Sequence, residues 1–183
     1  MSHKPKCQQT GMIRSSRQSE VPDDNDLQRM IDYIEYKSEE GILTYKTTVG
    51  GRVKGSKVGW VNGEGYLKLQ VNGKQRAYQN VCWFLYYGVW PRGLVDHINR
   101  DPGDNRISNL RLATPNENTV NRSYSSIGSS NYRGVYKNDA GNWRVICCGK
   151  YLGTFRSKHE AAMIYNIYME TNYYGYADYN KVF

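Results

Sequence analysis

Residues 94–122, LVDHINRDPGDNRISNLRLATPNENTVNR, constrain this chain more than any other stretch. Residues 94–98 are a short apolar run, 99–105 collect the turn formers Asn, Asp, Pro and Gly, and 106–112 alternate enough to return as a second strand. A hairpin with a long loop is expected. Thr114, Pro115 and Glu117 then form a capping box, with Thr at the cap, Pro at the first helical position and Glu three residues after the cap. A helix should therefore start at Pro115, with Asn118 in a first turn whose unpaired N–H groups and dipole favour a nearby phosphate.

A strand, strand, helix unit can bring together side chains that are distant in sequence. Asp96 and His97 are adjacent, Asn109 follows His97 by twelve residues and Asn118 follows it by twenty-one. Asp96 and Asn118 offer hard oxygen atoms, which suit one hydrated magnesium or manganese ion and suit zinc poorly. His97 is then left to act as a base, because imidazole titrates near neutral pH and can take a proton from an attacking water. An Asp-His pair alone is more often a surface pair or a satisfied histidine, and either Asn could be an ordinary turn residue. The full set of four points to a hydrolytic site.

The pattern VDHIN, DNRISNLR, TPNEN resembles the HNH nuclease family with its ββα-metal core, in particular the phage and intron-encoded homing endonucleases that carry Asn in place of the final His. The resemblance implies Asp96 and Asn118 as metal ligands, His97 as general base, and Asn109 as the residue that braces the loop and orients the histidine. Arg100 stands where the family commonly has Gly, which implies either an altered turn or an added phosphate contact. Arg106 and Arg111 are expected at the phosphate.

The 183 residues suit one or two domains. No run approaches the roughly 18 apolar residues of a membrane span, and the first twenty residues lack a signal peptide's apolar stretch, so a cytoplasmic, non-secreted protein is expected. Cys7, Cys82, Cys147 and Cys148 form no CxxC pair, so reduced thiols are expected, with no structural zinc.

The net charge of +8 is unevenly placed: zero over residues 1–26, plus four over 27–90, plus one over 91–122 and plus three over 123–183. The excess flanks the proposed site, as suits a protein that grips a polyanion with its flanks. Residues 1–25 read as a disordered polar tail, whose Lys4, Lys6, Arg14 and Arg17 are either solvated or touch phosphates. Leu27, Met30, Ile31 and Ile34 recur at helical spacing. Short strands follow at 42–46, 57–61, 65–71 and 74–78, with a hairpin turn at Asn72-Gly73, and a helix over 78–87 ends at Gly88. Arg52, Lys54 and Lys57 lie among glycines, where a loop follows a phosphate backbone or is simply exposed. Trp83, Phe84 and Leu85 are expected in the core. The order GYLKLQVNGK, Trp-bearing helix, GVWPRGLVDHIN is also similar to the lead-in of the HNH family, except that Gln79 and Asn80 replace its frequent His-Arg pair.

Residues 123–130, SYSSIGSS, read as a flexible linker. Strands are expected at 132–137, 143–148 and 150–155, and Ser157 with Glu160 caps a helix running to about residue 173. YRGV, GNWRV, GKYLGTF and EAAMIYN resemble the plant APETALA and ethylene-responsive-factor DNA-binding domain over residues 131–180. The resemblance implies a sheet whose face away from the helix enters the major groove. By alternation Trp143, Val145 and Cys147 face the helix, leaving Arg144, Ile146 and Cys148 outward. Arg133, Arg144, Lys150 and Tyr151 are the expected DNA contacts. Tyr136, Asn138 and Cys148 stand where plant members carry arginine, and the tyrosine-rich end, YYGYADY, either stacks on bases or packs on the helix.

The sequence thus predicts an α+β protein: a tail (1–25), a ββα-metal nuclease core with a strand-rich lead-in (26–122), a linker (123–130) and a three-stranded antiparallel sheet packed on one helix (131–183). The expected function is metal-dependent, homing-type cleavage of double-stranded DNA by a monomer or weak dimer with one magnesium or manganese ion per site. Two other readings stay open, a non-catalytic DNA-binding regulator that keeps the fold and a protein acting on RNA.

Overall fold

In the computed structural model the described residues are 20–121, 130–176 and 179–182. The tail through residue 19 with Cys7, residues 122–129 covering most of the expected linker, and Ala177 and Asp178 lie outside them. The chain divides into two compact units, Met1–Thr114 and Pro115–Phe183. Helix and small antiparallel sheets alternate in both, an α+β architecture.

In the first unit, helix α1 (Asp24–Tyr33) starts where the Asp23 carboxylate accepts the Asp26 N–H at 2.8 Å, satisfying one of the unpaired donors of the first turn. It stops one residue short of the helical period read from the sequence. Ile34 opens strand β1 (Ile34–Lys37), paired antiparallel with β2 (Ile42–Tyr45). Gly41 closes the intervening turn at φ 71, a conformation that glycine takes without strain. Ile34 is buried in either reading, so the apolar period alone could not separate them.

Strands β3 (Trp60–Val61), β4 (Leu67–Val71) and β5 (Lys74–Ala77) form a sheet in that order. Asn72 at φ 48 and Gly73 at φ 79 make the expected two-residue turn between β4 and β5, since both central positions need positive φ. Helix α2 (Tyr78–Tyr87) follows directly and ends at Gly88 in the left-handed region. Its Val81, Cys82, Trp83 and Phe84 join Met30, Leu43, Leu69 and Val71 in one core. Burial pushes the Cys82 thiol pKa well up, leaving it neutral and unreactive. Across this core the buried Arg76 guanidinium donates to Asp26 Oδ2 at 2.8 Å, and Asn72 Nδ2 donates to Asp26 Oδ1 at 2.7 Å.

The second unit begins with helix α3 (Pro115–Asn121), at the start the capping box predicts. Strands β8 (Val135–Lys137), β9 (Trp143–Cys147) and β10 (Lys150–Phe155) form an antiparallel sheet with β9 central. Strands β6 (Leu94–His97) and β7 (Leu110–Ala113) of the first unit form the site hairpin. Helix α4 (Lys158–Tyr173) is capped by the Ser157 hydroxyl, which accepts the His159 and Glu160 N–H groups. Val145 and Cys147 are buried with Ala161, Ala162, Tyr165 and Met169, while Arg144 and Cys148 are exposed. Cys148 lies just past β9 at φ 50, in a turn with Gly149, rather than in the strand.

Candidate active site

Strands β6 (Leu94–His97) and β7 (Leu110–Ala113) pair antiparallel, with Asp96 opposite Arg111 and His97 opposite Leu110. The second strand starts later than the alternation suggests, because Ile107–Asn109 coil into a single 3-10 turn first. Neighbouring strand residues point to opposite faces, yet Asp96 and His97 are both buried, at 7% and 6% exposure. Burying a carboxylate and an imidazole next to each other requires polar partners on both sides.

Asp96 finds a partner on β7, and His97 finds one in the loop between the strands. Asn109 is its brace: its Nδ2 donates to Asn99 Oδ1 at 2.9 Å and to the Asp104 carbonyl at 2.8 Å, and its Oδ1 accepts the Asn99 N–H at 3.0 Å. Asn99 Nδ2 donates in turn to Asp104 Oδ2 at 2.8 Å. The Arg106 guanidinium holds the same carboxylate with two bonds, Nε to Oδ1 at 2.8 Å and Nη2 to Oδ2 at 2.6 Å. The Arg106 hydrogen bond is the main reason the Asp104 carboxyl pKa falls to about 2, so the clamp stays charged through the neutral range. Arg100 adopts φ 67. The loop keeps a left-handed turn there without glycine, at a cost of roughly 1–2 kcal/mol.

The hydrogen bond at the His97 imidazole comes from Asn105, a turn former by its place in the sequence. Asn105 is 1% exposed, and its Oδ1 lies 3.1 Å from His97 Nε2. Its orientation is fixed by the other end of the amide, because Nδ2 faces two carbonyls, Gly103 O at 3.3 Å and Pro102 O at 3.4 Å. A donor must face carbonyls, so the amide oxygen must face the ring. His97 therefore carries its proton on Nε2, and the lone pair belongs to Nδ1. The Tyr36 hydroxyl of β1 donates to the Asn105 carbonyl at 2.7 Å, and Gly41 packs so close that a Cβ there would lie 2.5 Å from Arg106 N. The β1–β2 turn thus supports the loop from behind.

Asp96 Oδ2 accepts from Arg111 Nε at 3.0 Å across the strand pair. Among the described residues no three His, Cys, Asp or Glu side chains gather to hold a metal ion. A metal here would therefore be held by few protein oxygens and mostly water, the usual habit of magnesium. Asp96 fits that role: its buried carboxylate already draws a cation, Arg111, to one oxygen. Asn118 lies half-buried on α3, in the second unit.

The other expected contacts fall as follows. Arg52, Lys54 and Lys57 are exposed before β3, with the Arg52 guanidinium 5.6 Å from the Tyr45 ring centre. On the second unit's sheet Arg144 is exposed with its guanidinium 5.9 Å from the Tyr136 ring. Lys150 is exposed and sits over Tyr168 of α4, and the exposed Tyr151 hydroxyl pairs with Thr154 at 2.9 Å. Arg133 is half-buried, its backbone N–H donating to Asn180 Oδ1 at 2.7 Å.

Residues 76–120, spanning β5 to α3, match the family described as HNH endonuclease. The chain is also 33% identical over 133 residues to an uncharacterized HNH endonuclease of Acanthamoeba polyphaga mimivirus, covering 69% of each chain. The chain belongs to the HNH endonuclease family. No solved structure matches it. Family membership points to a nuclease, and the matched segment contains Asp96, His97, Asn105, Asn109, Arg111 and Asn118. Among the described residues no helix is long and apolar enough to cross a membrane.

Proposed function

We propose that this HNH protein is a metal-dependent endonuclease of duplex DNA, of the homing type, in which His97 Nδ1 takes a proton from water as that water attacks a phosphodiester. The observation that carries this reading is the Asn105 amide, which fixes the proton on Nε2 of a buried histidine adjacent to a buried carboxylate. A base held in one tautomer needs no rearrangement when the proton arrives, and Asn105 Oδ1 then steadies the imidazolium through Nε2–H. Asp96 would hold one magnesium or manganese ion, with Asn118 implied as a second oxygen ligand by the motif's resemblance alone. Bound there, the ion would supply charge stabilisation for the phosphate and the departing 3′ oxygen. Arg111 holds the Asp96 carboxylate in place, and Arg100 supplies positive charge from the loop. Arg106 is committed to Asp104 and acts chiefly by holding the loop.

In this reading the second unit anchors the protein on DNA. Support comes from its exposed sheet face, where Arg144 lies over the Tyr136 ring and register puts the exposed Tyr151 opposite Ile146, on the same face as Arg144, together with the resemblance to the plant major-groove readers. Arg133 and Lys150 are proposed contacts as well, although Lys150 reaches toward the helix side of the sheet, over Tyr168. A small antiparallel sheet can enter the major groove, and arginine is the side chain best suited to guanine edges.

Supercoiled plasmid incubated with the full chain, with magnesium, manganese or chelator, tests the proposal. Metal-dependent conversion to open-circle or linear DNA that is lost in His97→Ala is expected. Tight binding without conversion under any of these conditions would favour a DNA-binding regulator that keeps the fold.

A further inference from the structure

A cavity of about 170 Å³ opens on the first unit between α1, β2, the glycine-rich segment before β3 and the β4–β5 turn. That is several times the roughly 30 Å³ that a water molecule occupies in the liquid. Its polar lining comes from Arg29, Tyr33, Tyr45, Arg52, Gln70 and Asn72, and no carboxylate contributes. The Arg29 guanidinium lies 5.3 Å from the Tyr33 ring centre and that of Arg52 lies 5.6 Å from the Tyr45 ring centre. Each guanidinium lies within cation–π reach of a tyrosine ring, and among the described residues neither makes an ion pair.

We propose that this cavity is a phosphate-binding subsite for the nucleic-acid backbone, in which Arg29 and Arg52 clamp one phosphate from two sides. The inference rests on the nuclease reading for its polymer, and on three local observations for its chemistry. The first is charge. Residues 46–77 hold seven Lys and Arg against the single acid Glu64. Of these cations, Lys74 and Arg76 are engaged with Asp23, Asp26 and Glu20. Among the described residues Arg52 has no such carboxylate, and neither has Arg29 of α1.

The second observation is preorganisation. A guanidinium attracted to a neighbouring ring by cation–π interaction keeps its N–H groups available in its own plane, where they match the oxygens of a phosphate. Holding a long side chain against a ring also removes rotamer freedom before the ligand arrives, which lowers the ordering cost of binding. The third is the surrounding frame. Asn72 is tied to Asp26, and Gln70 Nε2 donates to the Gly73 carbonyl at 3.0 Å, so the far wall is fixed. Val49 and Arg52 exchange backbone hydrogen bonds around Gly50 and Gly51, which places Arg52 at the rim of a tight turn.

The test measures duplex binding by fluorescence anisotropy in EDTA over a series of KCl concentrations, with the full chain and with Arg29→Gln, Arg52→Gln and the double variant. Losing one phosphate contact lowers the slope of log affinity against log salt by about 0.9 and weakens binding several-fold at low salt. The expected result is a double variant with a slope smaller by about one, unchanged melting temperature and a defect no larger than the sum of the single ones. An unchanged slope overturns the proposal. Inorganic phosphate and dAMP, titrated while the arginine side-chain NMR signals are followed, separate the sources. Perturbed guanidinium signals with an unaltered DNA slope would assign the cavity to a free anion and also overturn the proposal. His97→Ala should keep the full salt slope whether or not it abolishes cleavage, so failure of the nuclease chemistry is distinguished from failure of this subsite.

Discussion

Replacing Asn105 with Ala tests the tautomer argument directly. The side chain is 1% exposed, so water does not readily substitute for it. Its contact to His97 Nε2 at 3.1 Å is within normal range, while those to Gly103 O and Pro102 O, at 3.3 and 3.4 Å, are long and weak. Losing the first bond leaves a buried imidazole N–H without an acceptor, which costs about 1–3 kcal/mol. The expected destabilisation is of that size, read from urea unfolding of the full chain. Cleavage should fall roughly 10–100-fold, the range seen when a partner that orients a functional histidine is removed. The decisive readout is the long-range 1H–15N spectrum of the imidazoles, with His97→Ala assigning the His97 signals among those of His3, His97 and His159. The parent should show the Nε2–H tautomer and Asn105→Ala a mixture. Asn105→Asp should keep that tautomer, since a carboxylate still accepts from Nε2–H, while losing the bonds to the two carbonyls. A parent spectrum with the proton on Nδ1, or an alanine variant unchanged in tautomer and cleavage, would refute the reasoning.

Further expectations concern the supports of the site and of each unit. Gly41→Ala should destabilise the first unit and loosen the loop. Its Cβ would lie 2.5 Å from Arg106 N and 2.6 Å from the Asn105 carbonyl carbon at φ 71, and amide exchange over residues 99–109 measures the loss. Arg76→Met should cost about 3–5 kcal/mol by leaving the buried Asp26 carboxylate without its guanidinium. The Asp26 pKa is held below its ordinary value by the Asn72 hydrogen bond, helped by Arg76 and opposed by burial. The stabilisation from that carboxylate is accordingly full above the unfolded pKa of about 3.9 and is lost as pH falls through the lower folded value; acid unfolding of the parent and of Asp26→Asn checks the sign. Gly134→Ala should unfold the second unit selectively. Its Cβ would meet Ile146 O and the Tyr165 ring at 2.5 Å, at φ 68, where the left-handed backbone alone costs roughly 1–2 kcal/mol. Near-UV circular dichroism and melting follow it.

The sequence by itself determined the elements whose signals are local. The Asn72-Gly73 turn, the stop of α2 at Gly88, the start of α3 at Pro115 and the Ser157 cap of α4 each depend on a few adjacent residues, and each falls where their chemistry places it. The adjacent Asp96 and His97 were legible for the same reason, since two functional groups on one short strand need no folding to be seen together. What only the tertiary structure decided depends on distant backbone. Ile34 reads as helix by period, yet its partner is Tyr45, and the pairing rather than the period sets where α1 ends. Asn105 reads as a turn former. It becomes the acceptor at the histidine because Tyr36, Gly41 and two loop carbonyls fix the backbone and amide around it, contacts spanning up to 69 residues that no local pattern encodes. Arg111 and Arg106 read alike as basic residues facing a phosphate. Register places one against Asp96, and loop closure commits the other to Asp104. Local propensity fixes where elements begin and end, whereas the partner of a polar side chain is set by which strands come together, and that choice carries the chemistry of the site.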